Sequence, residues 1–148
     1  MKVEFNNLYT HFVFSTLHRE PIIIALNRER IEKYITGIVN NNSCQLYAIY
    51  ANSDHVHILV SRSPQVDEDS LATVIANSST KFINDNKLCK FHFEWQQSCS
   101  AFSVSKADVD KVCKYILNQF EHHKKQTFIE EYDSFMTFYQ KTLNSKIR

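Results

Sequence analysis

Two histidines, His55 and His57, flank a single valine in the stretch NSDHVHILVS, residues 52–61. In an extended strand, side chains two apart leave the same face. His55, His57 and Leu59 then point one way, and Val56, Ile58 and Val60 the other. Two adjacent imidazoles make half of a divalent-metal site. The same pair also fits an ordinary strand carrying hydrogen-bonded histidines. The other histidines, His11, His18, His92, His122 and His123, read as surface or packing residues.

A second group of reactive side chains lies near the C-terminus. Val109, Val112, Cys113, Ile116, Leu117 and Phe120 recur at helical spacing and form one apolar stripe. Tyr115 falls off that stripe. Gln119, one turn later, shares its polar flank, with His122 nearby. The chain holds seven tyrosines, and most tyrosines are half-buried packing residues. Placement off the stripe is what separates Tyr115 from them. A phenol ordinarily loses its proton near about pH 10, so chemistry at that hydroxyl needs activation. A metal could supply it, or Lys111, about a turn earlier, or Lys114, the residue before.

These residues need a scaffold. Leu8 to Thr16 alternates and is rich in aromatic and β-branched residues, which marks a strand. A loop follows around Pro21. Asn27 is placed to cap a helix through about Asn42, with Ile31, Tyr34, Ile35, Ile38 and Val39 on one face. The run NNNS closes it. Cys44 to Ala51 and His55 to Ser61 read as two strands joined by a tight turn at Asn52, Ser53 and Asp54. That hairpin sets the histidines at the rim of a sheet, within reach of a substrate. A second helix spans about Asp69 to Asp85, with Leu71, Val74, Ile75, Ser78 and Phe82 inward. Asp67, Glu68 and Asp69 suit its positive end. Phe91 to Trp95 and Ala101 to Val104 are strand-like. Ser105 and Asp108 match the start of a helix from Lys106 to about Lys125, and Phe128 to Leu143 is a last amphipathic stretch. The order is βαββαβ, that of a ferredoxin-like α+β domain with an antiparallel sheet. The helices between strands cover one face, and the C-terminal helices, which carry Tyr115, pack elsewhere.

Composition narrows the function. The 148 residues carry a net charge of +1, with 43% hydrophobic and 22% charged residues, as in one ordinary globular domain. No apolar run approaches the roughly 20 residues that cross a bilayer, and residues 1–10 lack a secretory apolar core; a cytoplasmic protein is expected. Cys44, Cys89, Cys99 and Cys113 form no C-x-x-C pair, so free thiols are expected. With a single glycine, Gly37, a Gly-rich phosphate loop is excluded. From Val74 onward 11 Lys and Arg face 8 Asp and Glu, which suits a phosphate-facing surface or a plain solvated one.

The blocks LYTHFVFSTLHREPII, YITGIV, DHVHILV, ANSSTKFIN, FEWQ, AFSVS and YILNQFEHHKKQTFIEEY, in this order, resemble the single-tyrosine HUH transposases of the smallest bacterial insertion sequences. HUH denotes histidine, hydrophobic residue, histidine, here His55-Val56-His57. The resemblance covers nearly the whole chain, so residues 1–148 are expected to form one such domain. It implies a ferredoxin-like fold, His55, His57 and Gln119 as metal ligands, and Tyr115 as nucleophile. It further implies Mg²⁺ or Mn²⁺ as cofactor and single-stranded DNA with hairpin ends as partner. A homodimer, with an active site that two subunits can share, and a nucleoid-associated cytoplasmic location also follow from it. Two departures stand out. Ser98-Cys99 replaces a usual Gly-Tyr pair, and Leu17-His18 replaces Lys-Asn. Both touch loops and DNA contacts rather than the catalytic set. Two other readings share these residues: another HUH nickase, and a catalytically silent module that binds single-stranded DNA. Strand transfer between two ends separates the transposase from the first, and a covalent DNA adduct separates it from the second.

Overall fold

The computed structural model describes residues 1–122, 127, 129–134 and 136–137. The chain divides into two compact units, Met1–Leu117 and Asn118–Arg148. The first holds four strands, β1 (Tyr9–Ser15), β2 (Gln45–Ala51), β3 (His55–Ser61) and β4 (Ser100–Val104). Their order in the sheet is β2-β3-β1-β4, and every neighbouring pair is antiparallel. Helices α1 (Arg28–Asn41) and α2 (Glu68–Asp85) link β1 to β2 and β3 to β4. This is the ferredoxin-like α+β arrangement expected from the order of elements.

Alternation along the central strands builds two cores. Phe12, Phe14, Val56, Ile58 and Val60 pack with Ile31, Ile35, Leu71 and Ile75 of α1 and α2. On the opposite face, Leu59 and Ala48 pack with Val104 and with Val109, Val112 and Ile116 of α3 (Val109–Leu117). Strands β1 and β3 are therefore buried on both faces, which explains their near-continuous apolar runs.

With so few glycines, α1 and α2 end on other residues in the left-handed region. Ser43 has φ 60° and Lys87 φ 51°. In each case the amide beyond reaches back to the last turn, Cys44 to the Val39 carbonyl at 3.2 Å and Leu88 to the Ile83 carbonyl at 3.0 Å. That is the bonding of a Schellman cap. The start of α2 has its acid cap: Asp67 accepts from the Ser70 amide at 2.7 Å.

Several local expectations are corrected. Asn27 precedes α1 but makes no capping bond; its amide donates to the Leu88 carbonyl at 2.7 Å instead. The inner face of α2 is Leu71, Ile75, Ser79 and Ile83 rather than the line through Ser78 and Phe82. Ser79 is buried because its hydroxyl accepts from the Trp95 indole at 2.9 Å and donates to the Ile75 carbonyl. Phe82 instead stacks on Tyr34 with ring centroids 3.9 Å apart. Phe91 to Trp95 is not a strand. The Asn84 carboxamide bonds both the amide and the carbonyl of Phe93, so a side chain takes the place of a strand partner. Only Trp95 bridges, to Thr16.

The helix expected from Lys106 to about Lys125 is interrupted. A 3₁₀ turn at Lys106–Asp108 leads into α3, which ends at Leu117, and α4 (Gln119–His122) follows after Asn118. Asparagine is a weak helix former because its side chain competes for backbone bonds. Leu117, assigned to the stripe, is exposed. The end of that helix and half of Phe128 to Leu143 lie outside the described residues; 129–134 and 136–137 are helical.

One network supports the sheet beside the histidines. Glu32 of α1 accepts from the Ala51 amide of edge strand β2 at 2.8 Å and from Arg28 at 3.0 Å. The Arg28 guanidinium sits 4.6 Å from the centre of the Tyr50 ring, and Tyr50 is paired across β2 and β3 with His57. Burial pushes the Glu32 carboxyl above its usual range, against the lowering pull of Ala51 and Arg28. The neutral isostere should therefore be tolerated. Glu32→Gln is expected to change stability by less than about 1 kcal/mol, whereas Glu32→Ala should cost about 1–3 kcal/mol by stranding the Ala51 amide and Arg28. Urea unfolding checks this, and equal losses in both variants would refute it.

Candidate metal and nucleophile site

The turn at Asn52–Asp54 closes as expected, with the Asn52 amide bonded to the His55 carbonyl at 2.8 Å. His55 and His57 leave the same face of β3, with ring centroids 5.0 Å apart. The expectation of an open rim is corrected, because both side chains are buried, at 0% and 1% exposure. The reason is position: β3 is an inner strand between β2 and β1, and α3 packs on the histidine-bearing face.

Each imidazole has a polar partner on Nδ1. His55 Nδ1 lies 2.7 Å from Asp54 Oδ1. A carboxylate only accepts, so the proton sits on Nδ1. His55 Nε2, 3.2 Å from Asn52 Nδ2, is then left to accept. His57 Nδ1 lies 2.9 Å from His11 Nε2. The register explains the second contact. Val13 is opposite His57 and His11 is opposite Leu59, so His11 is the diagonal neighbour of His57 on one face, within reach of a long side chain.

Tyr115 comes to the same place. Its half-buried ring packs against the α3 core, and its centroid lies 5.9 Å from that of His57, edge to face at 78°. The phenol and the paired imidazoles thus meet within one chain. Lys111 and Lys114 lie on the exposed side of α3. Gln119 opens α4 in the second unit. Asn118 separates the helix of Tyr115 from that of Gln119. The side chains of His122 and His123 are outside the described residues.

The histidine pair fits a divalent ion. One ring nitrogen of each lies within 4.8 Å of one on the other. Two nitrogens sharing an ion at about 2.1 Å stand at most about 4.2 Å apart, and the pair lies near that range. Outer partners on the far ring nitrogens are the usual support for such ligands. Sequence reasoning placed His11 among packing residues. The signal available was its alternation with Phe12 and Phe14 in β1, which sets the face but not the register.

A ferredoxin-like sheet that presents His-hydrophobic-His on an inner strand, with a helix-borne tyrosine beside it, is the arrangement of an HUH nuclease. The family profile described as "Transposase IS200 like" matches residues 4–119, and the chain belongs to that family. Membership supports an HUH-type nuclease activity. Two solved structures share the fold. One is a candidate transposase from Deinococcus radiodurans R1, 19% identical, with a TM-score of 0.65 over 80% of this chain and 95% of that one. The other is a REP-associated tyrosine transposase bound to a REP hairpin, 14% identical, with a TM-score of 0.61 over 83% and 72%. No curated protein matches the chain. Among the described residues, no helix is long and apolar enough to cross a membrane.

Proposed function

We propose that this chain cleaves and rejoins single-stranded DNA through a covalent bond between Tyr115 and a DNA 5′-phosphate. The observation that carries this reading is the approach of the Tyr115 ring to within 5.9 Å of the His57 ring. His55 and His57 would hold a divalent ion, Mg²⁺ or Mn²⁺, with Gln119 as a third ligand. When bound, such an ion polarises a phosphate oxygen as a Lewis acid.

The chain's own residues supply the rest. The Tyr115 hydroxyl attacks phosphorus, giving up its proton to solvent or a nearby base. The bond from phosphorus to the 3′-oxygen breaks, and that oxygen takes a proton to leave as a 3′-hydroxyl. The phosphodiester energy stays in the tyrosyl ester, so a second 3′-hydroxyl can attack it, rejoin the strand and release the phenol. The apolar packing of α3 holds the tyrosine in position during both steps. The partner in this reading is single-stranded DNA with hairpin ends, and the acting form is a homodimer in a nucleoid-associated cytoplasmic setting. The approach of Tyr115 to His57 within one chain supports attack in cis in this conformation.

The direction of the linkage gives the test. The full chain is mixed with a pool of hairpin oligonucleotides bearing randomised single-stranded flanks, with Mn²⁺ or Mg²⁺. A 3′-end label should move with the denatured protein and a 5′-end label should not, with chelator abolishing both cleavage and adduct. An adduct carrying the 5′ label, or cleavage with no adduct at all, overturns the proposal.

A further inference from the structure

We infer that His11 is the residue that positions His57, by accepting the His57 Nδ1 proton and so leaving the lone pair on Nε2. This inference rests on the reading of His57 as a metal ligand. Its basis is the 2.9 Å contact between His11 Nε2 and His57 Nδ1, made by two buried side chains on adjacent strands. In such a contact one nitrogen donates and the other accepts. If His11 donated, the His57 proton would sit on Nε2, and that nitrogen could not bind a cation. If His57 donates, Nε2 carries the lone pair.

His55 shows the same design by different means. Its Nδ1 proton is held by Asp54 at 2.7 Å, which puts the lone pair on Nε2, where the Asn52 side-chain amide donates to it at 3.2 Å. The two neighbouring rings then present the same nitrogen. A histidine serves His57 where an aspartate serves His55. The tilted packing of the two rings, 5.1 Å apart at 36°, also limits rotation of His57.

The test uses His11→Phe, which keeps a ring and removes the acceptor, and His11→Gln, which restores a carboxamide acceptor. Imidazole ¹⁵N spectra of the metal-free full chain at about pH 8 read the tautomer of His57 directly. The wild type should show the proton on Nδ1, His11→Phe should lose that preference, and His11→Gln should regain it. Titration with Mn²⁺ alone, followed by the electron-spin signal of free Mn²⁺, should show about 10–100-fold weaker binding in His11→Phe and partial recovery in His11→Gln. Saturating Mn²⁺ should restore adduct formation. A His57 tautomer unchanged in His11→Phe overturns the inference, and so does Mn²⁺ binding equal to wild type. A wild-type chain with the expected tautomer that binds no Mn²⁺ overturns the metal reading instead.

Discussion

Tyr115→Phe is expected to abolish covalent capture of DNA while leaving the fold in place. The substitution removes one oxygen and nothing else. The phenyl ring keeps its packing against the core of Leu59, Val109, Val112 and Ile116, and its edge-to-face approach to His57 does not need the hydroxyl. Thermal stability should therefore change by no more than about 1 kcal/mol, the net worth of one hydrogen bond. Catalysis should fall by ~10⁴ or more, as when a covalent nucleophile is deleted from a site whose parts act as a unit. The measurement is adduct yield against time on 3′-labelled DNA, beside a binding assay at the same salt, since phosphate contacts weaken as counterions are released. Unchanged DNA binding with no adduct is the expected pair. A persisting adduct would assign the nucleophile to another of the tyrosines, with Tyr9, Tyr47 and Tyr50, all on or near the same face of the sheet, the first to examine.

The order of elements could be read from the chain because each carries its own period. Phe12 and Phe14 alternate with His11 and Val13, and Ile31, Ile35, Ile38 and Val39 repeat at helical spacing. The pairing of His55 with His57 followed from strand alternation alone. What escaped sequence reasoning depends on contacts between distant segments. His11 meets His57 only because β1 and β3 pair in one particular register, and a shift by one residue would send His11 to the other face. The buried line of α2 runs through Ser79 because the Trp95 indole, sixteen residues on, gives its hydroxyl a partner. A period of apolar residues does not count a satisfied serine. The Phe91 to Trp95 stretch has strand composition, yet Asn84 takes the backbone bonds of Phe93. The break at Asn118 likewise pits local asparagine chemistry against a stripe that runs on through Phe120. For Ser79 and Phe93 a polar side chain decided the outcome, and hydrophobic periodicity is blind to those.

His57→Ala is expected to remove metal-dependent cleavage, by on the order of 10²–10³-fold or more. The residue sits where three features meet: the strand that carries His55, the His11 contact at 2.9 Å, and the Tyr115 ring. Removal of its imidazole has two consequences that must be told apart. One is structural. The buried ring leaves a cavity and takes away the His11 contact, at a cost of about 2–4 kcal/mol, so some loss of activity could reflect unfolding. The other is chemical, the loss of one of two adjacent nitrogen ligands. Free imidazole separates them. If the fold survives, the cavity admits an imidazole of nearly the deleted size, and millimolar imidazole should recover part of the adduct in the presence of Mn²⁺ but not in its absence. Circular dichroism at the assay temperature shows whether the variant is folded. A folded His57→Ala chain that cuts DNA at the wild-type rate would remove His57 from the chemistry. Activity lost in a folded chain and restored by imidazole with metal would place the His57 nitrogen at the ion.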